Sequence, residues 1–118
     1  MTTQEIAARL HELVKQGDNS TAYNELFAGN AIAIEPKFPG FEKADGLDSI
    51  RKKGEALISN VQEIKSRTVS DEIIVGDNHI SLGISLDAIL KDGSPFKFSE
   101  VVLYEVANGK IISEQFYY

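Results

Sequence analysis

The 118-residue sequence contains no cysteine, few basic residues and no long apolar run. Because cysteine is absent, disulfides, zinc–thiolate sites and thiol nucleophiles are excluded, and the composition fits a reducing compartment such as the cytoplasm. The formal net charge is −6, and no stripe of lysine and arginine is present to neutralise phosphates, so we predict no nucleic acid or anionic membrane as a partner. The N-terminus lacks a basic region followed by an apolar stretch, which argues against a signal peptide or a membrane span.

Motifs for several kinds of active site are also missing. No glycine-rich loop leads into a helix, so a phosphate cradle is not expected. There is no nucleophile elbow for serine hydrolase chemistry. Acidic residues and His79 are suitable metal ligands, but their spacing matches no metal motif, and we predict neither a metal nor a cofactor. The apolar and charged fractions are those of an ordinary globular protein, and we predict one domain over residues 1–118.

The first thirty residues are typical of a helical hairpin. Residues 2–5, Thr-Thr-Gln-Glu, form a capping box, and apolar residues then recur at helical spacing until Gly17. Asp18 is a suitable N-cap for a second helix, which we predict to end at residues 29–30, Gly-Asn. A brief strand from Ala31 to Glu35 should follow, closed by a proline that cannot donate in a ladder.

A loop over residues 36–46 then carries two large apolar side chains, Phe38 and Phe41. They could fold over a cavity or simply cover the edge of a core. From Leu47 to Ile64 apolar residues keep helical spacing, which predicts a third helix, with the basic residues 51–53 on its solvated side. A first long strand is predicted from Lys65 to Val75.

The last forty residues form three alternating runs, over residues 79–91, 96–106 and 111–118, and such period-2 alternation predicts an antiparallel meander. The Asp-Gly pair at 92–93 suggests a two-residue hairpin, which would set position 87 opposite 98 and 85 opposite 100. The Asn-Gly pair at 108–109 suggests a three-residue loop, which would set 102 opposite 114.

These registers place Asp87, Glu100 and Glu114 on one face of the sheet, where neighbouring side chains lie about 5 to 8 Å apart. A two-residue loop at 108–109 would instead remove Glu114 from the group and leave the other two acids. Aromatic residues share this face, and the mixture is typical of a pocket. They are Phe96, Phe98, Tyr104, Phe116 and Tyr118.

The opposite face is predicted to be aliphatic in its middle, and a patch of that size is unusual on the surface of a monomer. A second subunit is the simplest cover for it. In the alternative interpretation the aliphatic face is the only core and the acids form a solvated outer face.

Three stretches of the sequence resemble the nuclear transport factor 2-like superfamily, and within it the SnoaL-like bacterial proteins. They are residues 26–36 (LFAGNAIAIEP), 46–50 (GLDSI) and 108–118 (NGKIISEQFYY). The resemblance covers nearly the whole chain and implies an α+β fold in which a curved antiparallel sheet wraps as a cone around three N-terminal helices. It also implies a small-molecule pocket inside the cone and a homodimer formed through the outer face of the sheet.

Enzymes of this superfamily include ketosteroid isomerases, polyketide cyclases, scytalone dehydratase and limonene epoxide hydrolase. The isomerases have a proton-shuttling carboxylate before a proline, and Glu35 matches that position. Leu10 and Val102 replace their tyrosine and protonated aspartate, so ketosteroid isomerisation is not expected. Asp87 and Glu100 could correspond to the carboxylates of the epoxide hydrolase, but its arginine has no counterpart near them, because Arg67 is the only strand arginine.

If Glu35, Asp87, Glu100 and Glu114 converge in an apolar cavity, at least one of their pKa values should rise, giving a general acid or base near neutral pH. The sequence therefore predicts a pocket for a small, partly apolar molecule, with possible acid–base catalysis of isomerase, cyclase or dehydratase type. The predicted ligand-binding residues are Tyr23, Phe38, Phe41, His79, Ser85, Phe98, Tyr104, Phe116 and Tyr118. The alternative is a non-catalytic dimeric interaction domain with a vestigial pocket.

Overall fold

The computed structural model describes residues Met1–Tyr118 and contains three helices and seven strands. The helices are α1 (Thr3–Gln16), α2 (Asn19–Leu26) and α3 (Leu47–Ser59). The strands are β1 (Phe27–Ile34), β2 (Lys43–Asp45), β3 (Val61–Val69), β4 (Ile74–Val75), β5 (His79–Leu90), β6 (Pro95–Ala107) and β7 (Lys110–Tyr117). No helix has the length and apolar character needed to cross a membrane.

The strands form one curved, unclosed sheet in the order β2-β1-β7-β6-β5-β3, with β4 paired to β5. All neighbours are antiparallel except β1 and β7, which run parallel. The predicted α+β cone is confirmed, although the sheet is mixed rather than purely antiparallel. The parallel pair lays the first strand beside the last, which brings distant parts of the chain to one site.

The predicted helix caps of α1 and α2 are present. Thr2 accepts from the Glu5 backbone N–H while the Glu5 carboxylate accepts from the Thr2 N–H, and Gly17 ends α1 in the left-handed conformation at φ 74°. Asp18 caps α2 through the Thr21 N–H. These caps explain why the helix starts could be located from a few adjacent residues.

Two predicted helix ends are wrong. Helix α2 ends at Leu26, and β1 begins at once with Phe27, which is buried and packs edge-to-face on Tyr104 at 6.4 Å between ring centroids. Helix α3 ends at Ser59. The residues up to Ile64 that continue its apolar spacing belong instead to β3, which pairs with β5. In both places sheet pairing and burial override the local helical periodicity.

The apolar core lies between the helices and one face of the sheet, which we call the inner face. Helix α1 contributes the largest set of fully buried side chains, and α3 and the strands complete the core. The fully buried large residues are Ile6, Leu10, Leu13, Leu26, Ile50, Ile80, Val102 and Ile111.

The turn between β5 and β6 differs from the prediction. The Leu90 N–H donates to the Ser94 carbonyl, so the loop contains three residues, 91–93, with Gly93 at φ 87°. Asp87 therefore lies opposite Lys97, and Ser85 lies opposite Ser99. Because side chains alternate with period 2, this shift of one residue moves Asp87 and Ser85 to the outer face of the sheet.

The turn between β6 and β7 also differs, yet the predicted face is right. Asn108 and Gly109 have φ values of 53° and 75° and form a two-residue loop, with Ala107 opposite Lys110. A bulge between Glu105 and Val106 then shifts the register by one residue. The bulge compensates for the shorter loop, so Glu114 lies opposite Tyr104 on the inner face.

The predicted aliphatic outer face is consequently wrong for β5. Its Ile84 and Leu86 lie opposite Glu100 and Phe98 and belong to the inner face. The outer side of β5 is mostly polar, and the exposed apolar side chains on the outer face of the neighbouring strands include Val101.

Candidate active site and ligand cavity

A cavity of about 990 Å³ lies between α3, the loop after β1 and the inner face of the sheet. Of its 34 lining residues, 20 are hydrophobic, which suits a small molecule that is itself largely apolar. Most of the predicted site residues line it: Tyr23, Glu35, Phe38, Phe98, Glu100, Tyr104, Glu114, Phe116 and Tyr118. The structure thus brings together three of the four predicted catalytic acids.

Asp87 and Ser85 do not reach the cavity, and their predicted place beside Glu100 is wrong. The Asp87 carboxylate lies 3.7 Å from the Lys97 ammonium in a surface ion pair. The Ser85 hydroxyl lies 2.6 Å from the Ser99 hydroxyl across the outer face. Both contacts follow from the three-residue loop that changes the register between β5 and β6.

His79 and Phe41 also lie outside the cavity lining. His79 is exposed at the start of β5, opposite Glu105 on the outer face. Phe41 packs edge-to-face on Phe38, with 5.2 Å between ring centroids, and Phe38 itself lines the cavity. The loop therefore covers the cavity with one ring and supports that ring with the other.

Glu35 is held at the cavity by the end of β1 and by α3. Its backbone N–H donates to the Glu42 carbonyl at 2.9 Å, and its carbonyl accepts from the Phe38 N–H. Its carboxylate accepts from the Lys53 ammonium at 2.8 Å, and both side chains are less than a tenth exposed. Lys53 also lies 3.9 Å from the centroid of the Phe116 ring. Removing either partner of such a buried pair leaves an uncompensated charge.

Lys53 is a site residue that the sequence analysis missed, since it assigned residues 51–53 to the solvated side of the helix. The prediction is right for Lys52, which is exposed, and wrong for Lys53. Lys53 follows the buried Ile50 by three positions and precedes the cavity-lining Leu57 by four, which places it on the inner stripe of α3. That spacing was the available signal.

Glu100 and Glu114 are the two acids with strongly perturbed ionisation. Burial raises the pKa of Glu100 to about 8, helped by the negative charges of Glu35 and Glu114, while the Lys53 charge opposes the rise. Burial likewise raises the pKa of Glu114 to about 7, with Lys53 lowering it and Glu35 raising it. At neutral pH Glu100 is mostly a neutral acid and Glu114 is close to half ionised.

Neither of these carboxyl groups has a hydrogen-bond partner in the protein, and both line the cavity. Every side-chain nitrogen or oxygen that is fully shut off from solvent does have a partner. The carboxyl oxygens of Glu100 and Glu114 must therefore remain open to the cavity. A ligand there would meet two acidic groups whose hydrogen-bonding capacity is unused.

Two tyrosines supply neutral donors beside these acids. Burial raises the pKa of Tyr104 well above its usual value, and the nearby Glu114 charge adds to the effect. Burial raises the pKa of Tyr23 in the same way, with a further contribution from Glu114. Both phenols remain protonated throughout the neutral range and can donate hydrogen bonds into the cavity.

Arg67 also lines the cavity, on the wall formed by β3. It lies opposite Leu86 in the β3–β5 ladder, and Leu86 lies opposite Phe98, so all three belong to the inner face. Its guanidinium donates to the Val14 carbonyl at 2.9 Å. No three histidine, aspartate or glutamate side chains are grouped so that they could hold a metal ion.

The SnoaL-like domain family matches residues 1–118, the whole of the chain. Among solved structures, a candidate SnoaL-like polyketide cyclase from Mesorhizobium loti, further designated a carbohydrate phosphatase, superposes with a TM-score of 0.91. It is 33% identical, and the alignment covers 100% of both chains. No significant match was found among curated proteins.

More distant structures share the fold. Bal32a, from a soil-derived mobile gene cassette, has a TM-score of 0.78 at 18% identity, with 98% of this chain and 87% of Bal32a covered. A candidate isomerase from Bacillus subtilis has a TM-score of 0.72 at 19% identity, with 99% and 88% covered. The full-length family match and the 33% identical relative together show that this chain belongs to the SnoaL-like domain family.

Proposed function

We propose that the protein binds a small, partly apolar carbonyl compound in its cavity and catalyses a cofactor-independent isomerisation, cyclisation or dehydration. One observation carries the proposal: Glu100 and Glu114 face an apolar cavity without protein partners and have pKa values of about 8 and about 7. Acids and bases with pKa values near the working pH are the most effective at moving protons. The candidate polyketide cyclase and isomerase among the similar structures are compatible with this class of reaction.

In the proposed mechanism the ionised Glu114 removes a proton from the carbon next to the ligand carbonyl. The electron pair of that C–H bond moves into the carbonyl group and forms an enolate oxygen. Glu100, neutral at pH 7, donates a hydrogen bond to this oxygen, and the phenol of Tyr104 is a further donor. In a conjugated ligand, protonated Glu114 returns the proton to the far carbon of the dienolate, which gives an isomer. In a ligand with a second carbonyl, the enolate carbon attacks that carbonyl and Glu114 protonates the resulting alkoxide, which gives a ring. In a ligand with a β-hydroxyl, Glu114 protonates that group as its C–O bond breaks, so that water leaves and a C=C bond forms.

Lys53 and Glu35 are the two charges that set the pKa of Glu114 in the proposed site. The Lys53 ammonium lowers the pKa of Glu114, and the Glu35 carboxylate raises it. The balance between these charges and burial keeps the pKa of Glu114 near neutrality. The role proposed for Glu35 thus changes from a proton-shuttling carboxylate to the partner that positions Lys53.

Deuterium incorporation tests the proposal. We would incubate a panel of enolisable aryl ketones with the protein in D₂O and follow loss of the α-proton signals by NMR. The wild type should exceed the buffer rate, and Glu114→Gln should lower the rate by about 10²- to 10⁴-fold. Glu105→Gln makes the same chemical change on the outer face and should leave the rate unaltered. Equal rates for wild type, Glu114→Gln and buffer would refute catalysis of this kind.

We further propose that two copies pair through the outer face of the sheet. Val101 and Tyr117 lie opposite each other across β6 and β7 and are 51% and 48% exposed, which favours an interface there. Size-exclusion chromatography with light scattering should show a dimer that Val101→Lys converts to monomers. A monomeric wild type at micromolar concentration would exclude this pairing. Cytoplasmic localisation stays a prediction.

The alternative function, a non-catalytic interaction domain, would need only the outer face. In that case the dimer would form but no probe would bind in the cavity. The open volume of about 990 Å³ and the unpartnered acids favour the catalytic proposal over a vestigial pocket.

A further inference from the structure

The Arg67 guanidinium is a cation of the cavity wall that has no acidic partner. Lys53 is paired with Glu35, whereas Arg67 forms no salt bridge and makes a single hydrogen bond, to the Val14 carbonyl. A guanidinium has five N–H donors in a planar fork, so most of its donors stay unused. An unpaired arginine in a largely apolar cavity suits recognition of a planar anion.

The bond from Arg67 to Val14 uses only part of the guanidinium fork. The Val14 carbonyl lies at the C-terminal end of α1 and already accepts from the Gly17 N–H at 3.0 Å. The helix end is therefore closed by its own glycine cap, and Arg67 adds a second donor. The contact fixes the direction of the guanidinium and leaves its other nitrogens available.

The charges of the cavity allow an anion despite its three acids. Glu35 is compensated by Lys53, and Glu100 is mostly neutral at pH 7. Glu114 is only partly ionised near that pH, whereas Arg67 carries a full positive charge. Lys37 adds a further cation to the cavity lining. A monoanion can therefore enter, while a phosphate dianion would meet stronger repulsion from Glu114 and would have only one guanidinium to bind it.

We propose that Arg67 binds a carboxylate of the ligand, so that the substrate class is a small carbonyl compound with an apolar body and one carboxylate group. This inference rests on the proposed function, because it names the substrate of the same cavity. Arg67 holds the carboxylate on the β3 wall, and the carbonyl portion extends toward Glu100 and Glu114. Arg67 is a specificity-determining residue, whereas the two glutamates handle the proton.

Matched acid and ester probes test the inference. We would use 4-oxo-4-phenylbutanoate and its methyl ester, with pairs carrying smaller and larger apolar bodies, and measure binding by NMR titration at pH 7.5. The wild type should bind at least one acid about 10- to 100-fold more tightly than its ester. Arg67→Gln should reduce acid binding to the ester level and leave ester binding unchanged. Lys65→Gln removes an exposed charge from the same strand and should retain the preference.

The outcomes separate this inference from the proposed function. If Glu114→Gln abolishes deuterium exchange while the acid preference persists, both stand. If neither the wild type nor any variant catalyses deuterium exchange, but the preference for the acid over the ester depends on Arg67, only the catalytic proposal fails. Equal binding of acid and ester by the wild type overturns the inference, and so does equal weakening of both probes by Arg67→Gln or absence of binding across the panel. Should Arg67→Gln not fold, Arg67→Lys replaces it, because lysine keeps the charge but loses the fork. The acid preference should then fall, and an undiminished preference would overturn the inference.

Discussion

Replacing Glu114 by glutamine should make the protein relatively more stable as pH rises. In the folded state burial raises the pKa of Glu114 to about 7 from an ordinary value of 4.5. The neutral acid is therefore the form that folding favours, and its contribution to stability is fully present below pH 4.5 and is lost as pH rises through 7. Because each step of one in pKa corresponds to 1.36 kcal/mol, the whole loss is about 3 kcal/mol.

Urea unfolding at pH 5, 6, 7, 8 and 9 measures this effect. The quantity of interest is the free energy of unfolding of Glu114→Gln minus that of the wild type, because any constant cost of the substitution cancels between pH values. This difference should rise by about 2 to 3 kcal/mol between pH 5 and pH 9. Glu105→Gln, an exposed outer-face substitution on β6, should show a difference that stays within about 0.5 kcal/mol at every pH.

A difference for Glu114→Gln that does not change with pH would refute the reasoning. It would mean that the Glu114 carboxyl is hydrated as well in the folded chain as in the unfolded one. The cavity would then be open to bulk water, and the acid–base proposal would lose its base. The result does not depend on knowing the ligand, so it can be obtained before any substrate is found.

Three further predictions follow from the same geometry. Lys53→Met should lower the free energy of unfolding by about 3 to 5 kcal/mol, because it leaves the Glu35 carboxylate buried and unpaired, and Lys53→Met with Glu35→Gln should recover part of the loss in urea unfolding. The deuterium exchange rate should peak between about pH 7 and about pH 8, since it needs Glu114 ionised and Glu100 protonated, and a rate that rises steadily to pH 10 would contradict the assignment. Asp87→Asn should leave exchange unchanged and stability within about 1 kcal/mol, as expected for an exposed ion pair, and a large loss of exchange would return Asp87 to the site.

Loop length, which sets the register between neighbouring strands, is where the predicted sheet and the observed sheet differ. Alternation predicts the meander correctly, but the predicted loop before β6 is one residue too short and the predicted loop before β7 is one residue too long. The first error moved Asp87 to the wrong face. The second was cancelled by the bulge at Glu105, so Glu114 was placed correctly. A Gly-containing turn does not by itself specify loop length, and the bulge between Glu105 and Val106 contains no glycine that would mark it.

Some residues of the cavity could be predicted from the sequence and others could not. Glu35, Glu100 and Glu114 could be identified as candidates from alternation and from the resemblance to a family. Lys53 and Arg67 were not placed in the cavity, because a charged residue on a helix or an edge strand is more often solvated. Only the packing of α3 against β1 and β7, and of β3 beside β5, puts these cations into the cavity.

Local interactions are what the amino-acid sequence determined by itself: the capping box at Thr2, the glycine stop of α1 at Gly17 and the alternation of the long strands. Each depends on residues a few positions apart, whose geometry the backbone fixes. Tertiary structure decided which face of each strand points inward, where α2 and α3 end, and which charges meet. These depend on long-range pairing and burial, where a shift of one residue inverts a strand, and they determine which acids become neutral and which cation remains free.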